Sequence, residues 1–381
     1  MSDEQEKSYA ARYSALTSLL ASISQRNHLQ QLDLTGNRLT SLPETVGKLA
    51  SLKRLYLDEN QLSSLPEALG SLTSLEELHI DANLLTSLPV SIDRLTKLKT
   101  LRLYNNQFYA LPVSLCRLTS LRDISLGKNH LASLPEAFWQ LSTLQVLNLG
   151  ENQFSALSKS ISNLTDLRML DLGHNQLTAV PESLGKLSKL TFLYLSNNQL
   201  TSLPEALFDN LEELLYLNAT DNQLTSLPEN LGKLTNLKEL RLYNNQLTAL
   251  PESFGSLVNL KELHVMNNQL ISLPTSIGEL RNLKELRLCN NRLTSLPASL
   301  GDLTQLTYLD LRNNRLNALP ESIGNLTLLT HLDLRANKLH ALPASIESLP
   351  KLEKLDLRWN KLAALPPWFQ QLEERGCTVF L

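Results

Sequence analysis

Few residues in this chain carry side chains suited to bond-making. Cys289 and His264 are the one thiol and imidazole pairing that the spacing brings near each other. Such a pair works as a nucleophile and base only with a third group to orient the imidazole and donors for an oxyanion. Cys116, Cys289 and Cys377 are far apart, no two at metal-ligand spacing, and the seven histidines are scattered. We therefore expect no metal, no cofactor and no disulfide framework. Recognition chemistry is better supplied. Met169, Phe192, Tyr194 and Tyr216, and then Arg241, Tyr243, His264, Met266 and Arg287, are of the types enriched in interface cores.

Bulk properties exclude several classes. The 381 residues carry a formal charge of −3 and are 42% hydrophobic. Nucleic acid would demand a basic face, so it is not an expected partner. No apolar run is long enough to span a bilayer, and no membrane is expected. The opening stretch, "MSDEQEKSYAARYSALTSLLASIS", lacks the basic start and apolar core of a secretory signal. A cytoplasmic location follows as the expectation, with secretion lacking a cleaved signal as the alternative.

What must position the recognition residues is a repeat. The stretch "LRMLDLGHNQLTAVPESLGKLSK", Leu167–Lys189, recurs fifteen times, from Leu29–Ser51 to Leu352–Glu374. The frame is LxxLxLxxNxLxxLPxx(I/V/L/F)GxLxx, of 23 residues in every unit but the eighth, Leu190–Glu213, which has one more around Phe208–Asn210. Period two at the start predicts a short strand: Leu240 and Leu242 point one way, and Glu239, Arg241 and Tyr243 the other. Asparagine fills position nine in every unit, as at Asn175, Asn198, Asn222 and Asn245. An amide inside a leucine core must have its hydrogen bonds met, which predicts a structural ladder of amides bonding backbone groups of their own and neighbouring units. The Leu-Pro step predicts an extended return segment, and the small residue at position nineteen, such as Gly185 or Gly255, predicts a tight turn.

One such unit buries too little apolar surface to fold alone, so the units must stack as a solenoid with capped ends. Tyr9, Tyr13, Leu16, Leu20 and Ile23, spaced by four and three, predict an amphipathic helix over Asp3–Ile23. Pro367–Arg375 reads as helical, Gly376 as its stop and "CTVFL" as a closing strand. The predicted organisation is an N-terminal helical cap over residues 1–28, fifteen repeats over 29–374 and a capping strand over 375–381.

This frame resembles the leucine-rich-repeat family over nearly the whole chain. Its second half, as in "LPESIGNLTLL" at Leu319–Leu329, is similar to the intracellular Ras-suppressor type, shared by plant Ras-group repeat proteins and by bacterial repeat proteins, some delivered into host cells as effectors. The resemblance implies an α/β repeat solenoid: a horseshoe with a parallel sheet on its concave side and protein recognition there.

On that face identical positions form rows. Row three turns apolar for four units, Val146, Met169, Phe192 and Tyr216, with Tyr194 beside them in row five, while row seven shrinks to Gly127, Gly150, Gly173 and Ser196. Exposed apolar residues over a glycine floor read either as a binding strip or as cross-strand packing that stiffens the sheet. Arg241, Tyr243, His264, Met266 and Arg287 make a second candidate patch, expected to face few acids and to steer an acidic partner. The alternating Asp310, Asp333, Asp356 and Arg312, Arg335, Arg358 read as a self-satisfied lattice.

The expected function is a monomeric, non-catalytic scaffold that binds a protein, with a small GTPase or another signalling protein as the partner the resemblance implies. An effector that binds a host signalling protein is the alternative. An enzyme using Cys289 and His264 is the weaker one.

Overall fold

The computed structural model describes residues 7–19, 23, 25–364 and 366–381. They fall into two compact units, Met1–Leu177 and Thr178–Leu381, each described by itself. The first holds strands β1 (Ser8–Ala10), β2 (Gln31–Asp33), β3 (Arg54–Tyr56), β4 (Glu77–His79), β5 (Thr100–Arg102), β6 (Asp123–Ser125), β7 (Val146–Asn148) and β8 (Met169–Asp171). The second holds β9 (Phe192–Tyr194), β10 (Tyr216–Asn218), β11 (Glu239–Arg241), β12 (Glu262–His264), β13 (Glu285–Arg287), β14 (Tyr308–Asp310), β15 (His331–Asp333), β16 (Lys354–Asp356) and β17 (Thr378–Phe380). Within each unit consecutive strands pair in parallel, and repeat position three sits beside position three: Glu239 beside Glu262, Glu262 beside Glu285. In β2 to β16 the middle residue is a buried leucine or isoleucine, and the apolar residue two places on is buried too, as at Leu240 and Leu242. Their neighbours at three and five lie on the opposite, open face.

The asparagine at position nine closes the turn after the strand. Asn245 donates from Nδ2 to Leu242 O (3.1 Å) and Tyr243 O (3.4 Å) of its own unit and to Ala219 O (2.9 Å) of the preceding one, while its Oδ1 accepts from Leu224 N at 2.9 Å. Asn175 repeats the pattern with Leu149 O, Leu172 O and Gly173 O, accepting from Phe154 N. Asn222 does so with Leu195 O, Ala219 O and Thr220 O, accepting from Leu200 N, and Asn198 donates to Leu195 O and Ser196 O. One amide thus ties its own turn to the coil before it.

Position eight takes a left-handed backbone, as at Asn244, Asn267, Asn290 and Asn313 with φ of 56°, 56°, 56° and 52°. Asparagine tolerates this region better than most residues. In the second unit these four side chains also bond one another, Asn267 Nδ2 to Asn244 Oδ1 at 2.5 Å, Asn290 to Asn267 and Asn313 to Asn290 at 2.6 Å, and Asn244 caps the series on Asp221 at 2.6 Å.

The return segment is not merely extended. Beyond the proline it tightens into a short 3₁₀ turn, as at Glu252–Ser256 after Pro251 and Glu321–Asn325 after Pro320. The glutamate that opens many of these turns accepts backbone N–H groups of the next one: Glu252 from Thr275 (3.3 Å) and Ser276 (3.2 Å), Glu67 from Val90 and Ser91 (both 3.0 Å). The small residue at position nineteen serves close approach, not a turn: a Cβ at Gly185 would lie 2.4 Å from Ala206 O, and one at Gly255 would lie 2.8 Å from Ser276 Cβ and Ser276 O. The extra residue of the eighth repeat is absorbed here too, after the Glu205–Phe208 turn, where Phe208 is buried.

The predicted N-terminal helix is corrected by the structure. Residues 3–6 and 20–22 lie outside the described residues, but 7–19 hold β1 and turns. Tyr9 pairs with Leu32, 23 positions on, and Asn37 donates to Ala11 O (2.7 Å) and accepts from Ser14 N and Leu16 N (3.0 Å each). The open edge of β2 and the asparagine of repeat one demand a strand and a turn, so the segment folds as a degenerate repeat. Tyr9, Leu16 and Ile23 fit both the helical spacing and the repeat frame, whereas Tyr13 falls at position eight with φ of 49° and is exposed, and the unmet sheet edge decides for the repeat. Tyr13 lies against Gly36, where a Cβ would collide with its ring at 2.1 Å. At the other end a short helix α1 (Phe369–Glu374) precedes Gly376 at φ 90° and β17, which pairs with β16.

Asn245→Ala should lower unfolding free energy by roughly 1–3 kcal/mol, because it leaves Leu224 N and buried carbonyls unmet. Asn259→Ala, which removes an exposed bond of 2.9 Å to Thr235 O, should stay within about 0.5 kcal/mol of the parent. Denaturant unfolding of the two variants checks the contrast.

Candidate recognition surface

In the second unit the aromatic residues stand on the open face of the sheet. Phe192 is 40% exposed and Tyr194 and Tyr216 are half-buried, while Leu193 and Leu217 between them are fully buried beneath the sheet. Tyr216 meets Phe192 at 6.5 Å between ring centroids and Tyr194 at 5.1 Å. The Arg241 guanidinium lies over the Tyr216 ring at 5.6 Å. Such contacts are worth about 0.5–1.5 kcal/mol each. They hold the rings in place while leaving one side of each to solvent. Half-burial pushes the Tyr216 hydroxyl pKa above its ordinary value, so it stays protonated.

The second patch departs from expectation. Arg241 is bonded to Glu239 and Arg287 to Glu285, each two residues earlier on its own strand. Period two puts positions three and five on one face, so the row-three glutamates are the acids that face the row-five arginines. Three carboxylates, Glu239, Glu262 and Glu285, oppose two guanidiniums, and the expected positive field is absent. Arg287 also covers the Tyr308 ring at 5.2 Å. Tyr243 and Met266 are half-buried beside this group. His264 is buried at 8% exposure, with Nε2 3.6 Å from Glu262 Oε2 and 3.3 Å from Glu285 Oε1. Burial lowers its pKa, so the ring is neutral at neutral pH.

Cys289 is not activated. It is buried, and burial followed by the nearby Asp310 charge pushes its pKa up to about 11. Arg312 Nη2 contacts its sulfur at 3.8 Å. A reactive thiol needs the opposite shift. Farther along, Asp310, Asp333 and Asp356, which end their strands, bind Arg312, Arg335 and Arg358 two residues on at 2.6–2.7 Å, and Arg312 and Arg335 reach the next strand's aspartate at 3.5 and 3.3 Å.

In the first unit Val146 and Met169 are neighbours on β7 and β8, both half-buried on the open face. Gly150 N and Gly173 N are each capped by the side chain two residues earlier, Asn148 and Asp171, at 2.9 Å. The glycine row is not wholly bare. Tyr104 lies across Gly127, where a Cβ would come within 2.9 Å of its ring, and its hydroxyl donates to Glu151 two repeats on at 2.7 Å. Closer to the N-terminus, Asp58 accepts from Asp81 N (2.7 Å) and Asp81 from Tyr104 N (2.6 Å), a column of acids lying along row seven.

Sequence reasoning missed the Glu262–His264–Glu285 group and the Tyr104 span. The signal for the first was a Glu-x-His strand followed by a glutamate 23 positions after Glu262. The second had none, since it depends on how far a ring reaches over glycine.

Comparisons with known proteins agree with this geometry. Family models described as leucine-rich repeat region match residues 132–241, 206–297 and 289–374, and a model described as leucine rich repeat matches 27–85, 73–131 and 96–154. The chain is 36% identical to a solved leucine-rich-repeat protein of Leptospira interrogans, with a TM-score of 0.90 over 98% of this chain and 95% of that one. It is 32% identical to the repeat ectodomain of the Arabidopsis thaliana receptor kinase GASSHO1/SCHENGEN3 in complex with Casparian strip integrity factor 2 (TM-score 0.71), matching 95% of this chain and 48% of that one. With the Drosophila Toll–Spätzle complex it shares 25% identity and a TM-score of 0.77 over 92% of this chain and 53% of that chain. A search of curated proteins found no match.

The acid column predicts a pH effect. Burial raises the Asp81 pKa to about 6, with Asp58 adding to the rise. An acid whose pKa rises on folding contributes stability below its unfolded value near 4, and that contribution is lost as pH climbs through about 6. Asp81→Asn keeps an acceptor for Tyr104 N and removes the charge. Its melting temperature should exceed the parent's by roughly 1–3 °C at neutral pH, with the gap closing as pH falls from about 6 toward 4 in thermal scans.

Proposed function

The chain belongs to the leucine-rich-repeat family, and from that premise we propose that it is a non-catalytic scaffold binding a protein partner on the concave face of its sheet. The observation that carries this reading is the group of Phe192, Tyr194, Tyr216 and Arg241: aromatic rings braced by one another and by a guanidinium, yet open to solvent on the sheet face. Rings already held in place lose little side-chain freedom on binding, which is the property of interface anchors. Val146 and Met169 offer further apolar surface in the first unit. The buried, unactivated Cys289 argues against a thiol mechanism.

The plant and Drosophila neighbours occur in complexes with Casparian strip integrity factor 2 and Spätzle, which supports protein recognition as the use of this fold. The partner that the family resemblance favours is a small GTPase or another signalling protein, met in the cytoplasm by a monomer. The likeness to a bacterial protein along most of its length favours, as the second reading, an effector acting on a host signalling protein. Among the described residues no helix is long and apolar enough to cross a membrane.

Phe192→Glu combined with Tyr216→Glu should cut partner capture at least about tenfold, as loss of a hot spot worth roughly 2 kcal/mol does, while the melting temperature falls by several degrees as the ring contacts are lost and a single cooperative unfolding transition remains. Val258→Glu, at a 45% exposed residue outside the strands, should leave capture intact. Quantified pull-downs with the three proteins test this, and equal capture by all of them would remove the aromatic group from the interface.

A further inference from the structure

We propose that Glu262, His264 and Glu285 form a site for one divalent transition-metal cation of the zinc class on the open face of the second unit's sheet. Strand β12 presents Glu262 and His264 two residues apart, hence on one face. Strand β13 sets Glu285 beside Glu262 as its register partner. One ligand atom from each of the three side chains lies within 4.8 Å of the other two.

The histidine is the observation that points to a ligand. It is 8% exposed, and its Nε2 is buried with no hydrogen-bond partner, although it faces the Glu262 and Glu285 carboxylates at 3.6 and 3.3 Å. A buried nitrogen that faces two carboxylates and hydrogen-bonds to neither is costly. A cation between them turns all three contacts attractive. The two imidazole–carboxylate separations are close to those of a tetrahedral ion, whose bonds of about 2.0–2.1 Å place ligand atoms roughly 3.3–3.5 Å apart.

The surrounding charges lead to the same ion. Glu239, Glu262 and Glu285 stack in register on consecutive strands, and like charges directly opposite one another destabilise a sheet. Arg241 and Arg287 neutralise the outer two, and among the described residues no guanidinium forms an ion pair with Glu262. Glu285 keeps lone pairs for both Arg287 and a cation. One imidazole with two carboxylates suits zinc, cobalt or nickel, whereas calcium and magnesium prefer oxygen alone. Water would fill the remaining coordination positions.

The full-length protein, stripped with chelator, should bind one equivalent of Zn²⁺ by calorimetry and give a visible absorption spectrum with Co²⁺. His264→Ala should weaken both by roughly 100-fold, no less than the loss of an outer-shell partner costs. Glu262→Gln, isosteric and uncharged, should weaken them at least about tenfold. His331→Ala, on β15, should change nothing. Absence of a saturable Zn²⁺ signal in the parent, or affinity unchanged in both His264→Ala and Glu262→Gln, overturns the site.

Discussion

The asparagine amide at position nine is the interaction on which the rest of the structure depends. A strand of three residues followed at once by a turn leaves backbone groups inside a leucine core with nothing to bond. The amide answers from both ends: Nδ2 of Asn245 serves carbonyls of two successive coils, and Oδ1 takes the N–H of Leu224. Because each amide reaches back one repeat, the bond that completes a turn also fixes its distance to the previous turn. Asn37 does this even for a segment that lacks the repeat's consensus, drawing residues 8–16 into the stack. A leucine or serine at this position could fill the space or form one of these bonds, but not all of them.

Fixed spacing with parallel register has a chemical consequence. The same position in successive repeats becomes a column of neighbours, so any bias in the sequence is amplified into a ladder. Amides at position eight chain together from Asp221 to Asn313. Glutamates opening the 3₁₀ turns chain through backbone N–H groups of the next coil. Like charges are the hazard of such columns. The aspartates that end β14 to β16 escape it because an arginine stands two places beyond each of them. Asp58 and Asp81 have no such partner and are left with raised pKa values.

The recognition surface follows from the same constraint. The core takes every second side chain of a strand, so the sheet can change its outer row without disturbing its inner one. Phe192 and Tyr216 stand directly above a fully buried leucine layer, and their exposure costs the fold nothing that the leucines have not already supplied. Their contacts with Tyr194 and Arg241 make a rigid group from residues that the repeat frame leaves free. Farther along the same face, the Glu262 and His264 pair is also a product of rows three and five sharing a side.

The sequence by itself determined the repeat, its strand, its buried leucines and asparagines, and which letters face outward, because periods of two and of 23 constrain every unit alike. It also located Phe192, Tyr194, Tyr216 and Arg241 on one face, since alternation alone fixes that. Tertiary structure decided what periodicity leaves open. Residues 7–19 place Tyr9 and Leu16 where a helix or a repeat could use them, and the unpaired edge of β2 selected the repeat. The acids that pair with Arg241 and Arg287 lie in their own strands, a matter of side-chain reach. The Tyr104 ring could cross Gly127 to Glu151 only because two coils bring them side by side. These outcomes rest on distances across coils, which a linear pattern does not contain.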